Sequence, residues 1–173
     1  TIAARTEHLA PFPWGVAEMS FDQAQLRQGR LELENIAGIM PDGTPFDAPH
    51  TAPLPQEIDV PEEAIGKTVW LTLPNQAQND RDAGMPDDAS TRYVVREEKG
   101  VADVTSAART EESVEIAVPR LELVLRDKPR EGYQSIALAR VADVSDGKVV
   151  TLDKNTPPTG LIIGVHRAYE GYL

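Results

Sequence analysis

The side chains best suited to chemistry are three histidines, His8, His50 and His166, and the aspartates Asp80, Asp82, Asp87 and Asp88. Imidazoles hold zinc when several converge, which on one element means a spacing of three or four residues. These histidines lie far apart in different contexts, and no pair has that spacing. The run Asp80-Arg81-Asp82-Ala83-Gly84 resembles the opening of a calcium loop, which places oxygen ligands at alternate positions. A third acidic ligand is missing, and Thr91 stands where the bidentate glutamate belongs. The run therefore reads as a solvated acidic loop.

Nucleophilic and phosphate chemistry fare no better. The chain has no cysteine, no Gly-x-Ser-x-Gly elbow, no glycine-rich phosphate loop and no His-Glu-x-x-His. Carboxylate pairs such as Glu32/Glu34 and Glu111/Glu112 fall where the solvated faces of strands put them. No catalytic residue is expected, and neither a cofactor nor a metal. Trp14 and Trp70 remain, since an exposed indole stacks on sugars or anchors an interface. Trp70 with Tyr93 would form the aromatic platform of a carbohydrate-binding or phage receptor-binding module. Burial of both tryptophans in a core is the preferred reading.

With 28 acidic against 17 basic residues the formal charge is −11. Nucleic acid binding draws most of its affinity from lysine and arginine on phosphates, so this balance argues against it, and against anionic membrane surfaces. Acidity suits solubility, or a partner with a basic face. No apolar run reaches the roughly 18 residues of a spanning helix, so no membrane insertion is expected. The start Thr1-Ile2-Ala3-Ala4-Arg5 lacks both a signal-peptide pattern and an initiator methionine, and is expected to be a trimmed end.

The elements that must position these residues are short. Fourteen prolines and 12 glycines divide the chain of 173 residues, as turns divide an all-β domain. After the Pro-Phe-Pro-Trp segment comes a strand with Val16, Ala17, Met19 and Phe21, then a short helical turn or loop from Asp22 ended by Gly29. Arg30 to Met40 alternates until Asn35, after which apolar residues fall on both faces, from either a bulge at Asn35 or burial of the second half on both sides. Pro41-Asp42-Gly43-Thr44 is a turn, with Pro45-Phe46-Asp47 as the return strand. Thr68 to Leu73 alternates cleanly. Residues 74–90 form a long polar stretch, of the length that tends to be functional or mobile. Thr91 to Glu98 resumes as strand, and 101–113 stays ambiguous between turn and strand. Val114, Ile116 and Val118 lie on one parity, and Leu121, Leu123 and Leu125 on the other, with Pro119 between, as where a strand passes from one sheet to another. Gln134 to Val144 reads as a central strand, Ser145-Asp146-Gly147 as its turn, and Lys148 to Leu152 as the partner strand. Leu161, Val165, Tyr169 and Tyr172 then make a helical stripe.

The fold expected is all-β, a β-sandwich of about eight to ten short strands with the start of a helix at the C-terminus. Residues 1–155 form the sandwich, and 156–173 a linker with the first turns of a truncated helical domain.

Two segments go further. Pro11-Phe12-Pro13-Trp14-Gly15-Val16, followed by Gly38-Ile39-Met40-Pro41-Asp42-Gly43-Thr44-Pro45-Phe46-Asp47, resembles the amino-terminal domain of the TssK family, baseplate subunits of bacterial type VI secretion systems. A strand like Val69-Trp70-Leu71-Thr72-Leu73-Pro74 follows in that family too. The resemblance implies a shoulder-like β-sandwich akin to phage receptor-binding proteins, with no catalysis. It implies docking onto the TssF–TssG wedge, a trimer in the full-length protein, and contact with TssL and TssM through domains not in this chain. It places the protein in the cytoplasm, at the inner face of the inner membrane. Pro11, Phe12, Trp14, Gly15, Pro41, Asp42 and Gly43 carry the family motifs and are expected to serve the fold. Asp80, Arg81, Asp82 and Met85 of the long loop, together with the 41–47 turn, are the candidates for partner contact.

Overall fold

The structure is a computed structural model and describes residues 14–76, 82–89, 91–102, 111–145 and 148–161. The molecule is an all-β, sandwich-like domain. Twelve strands occur among the described residues, against the eight to ten expected. They are β1 (Gly15–Phe21), β2 (Arg30–Leu31), β3 (Leu33–Ile39), β4 (Pro45–Ala48), β5 (Ile58–Asp59), β6 (Thr68–Pro74), β7 (Ala83–Gly84), β8 (Tyr93–Ala102), β9 (Glu111–Pro119), β10 (Glu122–Arg126), β11 (Tyr133–Val144) and β12 (Val150–Leu152). The surplus lies in the two-residue strands β2, β5 and β7, which are too short to show a period of two. Of the expected C-terminal helical stripe, Leu161 is described, as a bend residue, and Val165, Tyr169 and Tyr172 lie outside the described residues.

The chain divides into two compact units, one formed by residues up to Leu73 and from Leu121 onward, the other by Pro74–Arg120. In the first, β1, β3 and β4 form an antiparallel sheet with β3 in the middle. The parity change at Asn35 appears as a register shift, because Ser20 faces Asn35 while Phe21 faces Leu33. Leu33 and Ile36 can thus both be buried although they are three residues apart. The hairpin after β3 is closed by its sequence. Met40 N–H donates to Thr44 O at 2.8 Å, Gly43 N–H to Met40 O at 2.9 Å, and Thr44 N–H to Asp42 Oδ1 at 3.0 Å. Gly43 has φ +86°, the left-handed residue that ends such a three-residue loop.

The second sheet runs β10-β6-β11-β12, so the 133–144 strand is central as expected. Val69, Leu71 and Leu73 of β6, Leu123 of β10, and Ile136, Leu138 and Val141 of β11 are buried. Each such side chain contributes about 1.5–3 kcal/mol of burial free energy. Residues 159–161 join the two sheets. Thr159 O accepts from Val16 N–H at 2.8 Å, Leu161 N–H donates to Val16 O at 2.8 Å, and Thr159 N–H donates to Ala137 O of β11 at 3.2 Å. The short helix α1 (Gln23–Leu26) is capped by Asp22, whose Oδ1 accepts from Ala24 N–H at 2.6 Å and Gln25 N–H at 3.1 Å.

The second unit is the β8–β9 antiparallel ribbon, with β7 added in parallel to β8. Opposite Ser113 the ribbon holds an extra residue, with Gly100 at φ +75°, so a bulge shifts the register between Glu98 and Val101. The strands before and after Pro119 belong to different sheets, β9 to the ribbon and β10 to the four-stranded sheet. Of the even-numbered row only Val118 is buried, whereas Val114 is exposed.

Candidate interaction surface

The 82–91 turn, described at residues 82–89 and 91, is built there from the main chain and one arginine. Pro86 fixes a corner of the turn, which Asp88 N–H closes on Met85 O at 3.0 Å. Thr91 Oγ1 lies 3.1 Å from both Asp88 O and Tyr93 O, its one O–H donating to either, and Tyr93 N–H donates to Asp82 O at 2.8 Å. Arg120 then spreads its guanidinium over the turn. It donates to Asp88 O at 2.7 Å, Thr91 O at 2.9 Å, Pro86 O at 3.1 Å, and Met85 O and Thr91 Oγ1 at 3.2 Å. A fixed fork of five donors suits several carbonyls at once in a way an ammonium does not. A Cβ on Gly84 would meet Thr91 Cγ2 at 2.8 Å, so the close approach of strand and turn requires glycine there. The turn is therefore held rigidly with Met85 at its surface, 62% exposed, the most open large apolar side chain among the described residues. A rigid turn presenting an apolar side chain beside Asp87 and Asp88, both exposed, suits protein contact.

Of the four loop candidates, Met85 is in this turn, Asp82 enters it through its carbonyl, and Asp80 and Arg81 lie outside the described residues. Among the motif residues, Pro11 and Phe12 also lie outside them. Trp14 is half-buried, and Gly15 opens β1. Pro41, Asp42 and Gly43 form the β3–β4 loop, with Pro41 and Asp42 exposed, while Phe46 of the same region is 3% exposed and offers no surface. Trp70 is half-buried, and its indole N–H donates to Arg126 O at 3.1 Å. Tyr93 is half-buried, with the Arg92 guanidinium 5.7 Å from its ring centre. His50 Nδ1 lies 2.8 Å from Asp47 Oδ1 in the open, and His8 and His166 are outside the described residues. Among the described residues no three histidine, aspartate or glutamate side chains converge as a metal site. Arg120, which organises the turn, has no signature in the sequence, because all but one of its partners are carbonyl oxygens common to every residue.

A bacterial type VI secretion family (VC_A0110, EvfL, ImpJ, VasE) matches residues 1–173. The chain belongs to this family. It is 29% identical over 164 residues to the type VI secretion system baseplate component TssK1 of Pseudomonas aeruginosa, covering 94% of this chain and 37% of that protein. The chain therefore spans well under half the length of this curated relative. A crystal structure of TssK shares the fold, with a TM-score of 0.85 at 24% identity, covering 98% of this chain and 39% of that one. TssK in a TssK–TssF–TssG baseplate subcomplex solved by cryo-electron microscopy gives 0.82 at 18% identity, covering 95% of this chain and 55% of that one. The resemblance to the TssK amino-terminal domain, read from the 11–47 segments, agrees with all three comparisons.

Proposed function

We propose that this type VI secretion family member is a non-catalytic structural adaptor of the baseplate, and that it docks onto a wedge of the TssF–TssG kind. The observation that carries the reading is the fold shared, over nearly the whole chain, with TssK of a TssK–TssF–TssG subcomplex. The sequence adds no nucleophile, phosphate loop or metal pattern that would call for another class. The 82–91 turn, with Met85 exposed and the main chain pinned by Arg120, is the proposed contact. Burying Met85 adds apolar area without the entropy loss of ordering a loose loop. The motif residues Trp14, Gly15, Pro41, Asp42 and Gly43 are proposed to act by folding the domain. Trimerisation and contact with TssL and TssM are assigned to the full-length protein, and the working location to the cytoplasmic side of the inner membrane. Among the described residues no helix is long and apolar enough to cross a membrane.

The test is titration of the full-length protein with purified TssF–TssG complex from its own system. Saturable binding is expected, and Met85→Asp should weaken it about tenfold or more without moving the unfolding midpoint. Unchanged affinity of that variant would remove the turn from the interface. Absence of binding by the folded wild-type protein would sink the adaptor reading.

A further inference from the structure

We infer that β9 is a docking edge that takes up an extended, basic strand of a partner protein by main-chain pairing. The inference rests on the adaptor reading and adds the mode of contact. In the order β7-β8-β9, β9 is outermost, and among the described residues no strand pairs with its outer side. The direction of its free groups follows from one hydrogen bond. Arg120 N–H donates to Arg92 O at 2.9 Å, so Arg120 turns its main-chain groups toward the β8 strand. Main-chain direction alternates along a strand, and the ladder is regular from here to Val114. Val118, Ile116 and Val114 therefore also face β8. Ser113, Glu115 and Ala117 point their N–H and C=O groups outward. Pro119, which has no N–H, falls at an outward position where none is used.

Edges of this kind are usually blunted by charged side chains, lysine above all, by proline, by a bulge or by a covering segment. Glutamates alone repel an acidic strand while admitting a basic one. From Glu111 to Val118 there is no lysine, arginine or proline, and three of the residues are glutamates. On one face Val114 is 42% exposed and Ile116 half-buried, with Val101 of β8 40% exposed beyond the bulge. On the other face Glu115 lies directly opposite Glu97, both exposed. Like charges directly opposite disfavour a ladder. Lys99 approaches Glu97 at 3.6 Å, on the β8 side and away from the open edge. An added strand would place alternate side chains beside Glu115 and over Val114 and Ile116. Its complement is therefore a run alternating lysine or arginine with aliphatic residues. Two copies of β9 laid edge to edge would bring glutamates against glutamates, so a second copy of this chain is the poorer occupant.

The probe is an acetylated, amidated Lys-Val-Lys-Val-Lys-Val-Lys peptide, titrated into the whole chain and read by amide hydrogen exchange. Saturable binding is expected, with exchange at Ser113, Glu115 and Ala117 slowed about tenfold or more. The Glu-for-Lys peptide should not bind. Ala117→Pro removes an outward N–H while sparing the bonds to β8, so it should abolish binding and keep the Val94 and Arg96 amides protected. Glu115→Lys, which leaves the main chain untouched, should weaken binding about tenfold or more. Absence of saturable binding, binding that survives Ala117→Pro, or unprotected outward amides would each overturn the inference. A parallel titration with TssF–TssG separates the two readings. Wedge binding that persists in Ala117→Pro with the outward amides unprotected overturns the docking edge and leaves the adaptor standing. Failure of the wild-type protein to bind the wedge overturns the adaptor, and the peptide result still decides the edge.

Discussion

At the residue scale, two glycines hold positions that no side chain fits. Gly15 has φ +135°, and a Cβ there would lie 2.7 Å from Thr159 O. Gly38 has the main-chain oxygen of Gly15 on one neighbouring strand where a Cβ would stand, and the Phe46 ring of the other close beside it, its Cζ 2.8 Å away. Both stand in the segments that carry the family resemblance, so the motif was legible while its cause was not. The atoms that crowd Gly15 come from the far end of the chain, and no local pattern announces them. Asp153 gives a sharper test at this scale. Its carboxylate accepts from Asn155 N–H at 2.8 Å and from Thr156 Oγ1 at 2.7 Å. The Asn155 bond, then the Thr156 bond and the charge of Arg140, hold its pKa below the ordinary 3.8, against a small opposing effect of burial. A folded value below the unfolded one means the stabilisation is fully present above the unfolded pKa. It is lost as pH falls through the folded value. Carboxyl-carbon NMR is therefore expected to give Asp153 a midpoint below 3.8, and Thr156→Val should raise it. An unmoved midpoint in the variant would show that the threonine bond does not form in solution.

At the element scale, what could be read was periodicity with punctuation. The β3 parity change, the 41–44 turn, the alternation in β6 and the central β11 each rest on a run of side chains or on turn residues whose backbone preference is local. The two-residue strands β2, β5 and β7 rest instead on pairing with distant segments, and so does the shape of the 82–91 turn. Asp82 and Met85 could be singled out because they stand in a long polar stretch. The residue that orders that stretch, Arg120, sits beyond the β9 strand and bonds only to main-chain oxygens and one hydroxyl. Removing it leaves the Pro86 and Thr91 carbonyls without their donor, while Met85 O keeps Asp88 N–H and Asp88 O keeps Thr91. Arg120→Ala is therefore expected to lower stability by about 1–3 kcal/mol in urea unfolding, with faster amide exchange at Asp88 and Thr91. Arg120→Lys should restore only part of this, because one ammonium cannot span the fork. Full rescue by lysine would mean that charge, not geometry, holds the turn.

At the scale of the whole molecule, the register of β6 against β10 says how the second unit enters the chain. Thr72 faces Glu122 and Leu71 faces Leu123 in an antiparallel ladder, so Leu73 and Leu121 fall opposite one another by continuation. The second unit, Pro74–Arg120, leaves and rejoins the chain between these two residues. An Asn-Gly link from Leu73 to Leu121 is a short hairpin connection of the kind that joins antiparallel neighbours. Replacing residues 74–120 by Asn-Gly should therefore leave the first unit folded. Its buried rows on β1, β3, β6 and β11 all lie outside the deleted span. A far-ultraviolet spectrum of β type and a cooperative thermal transition are expected. The same variant made in the full-length protein would lack both the 82–91 turn and the β9 edge, and should lose binding to the TssF–TssG wedge. Wedge binding kept at wild-type affinity would move the docking surface to the first unit, where the exposed Pro41 and Asp42 of the β3–β4 loop would become the residues to substitute next.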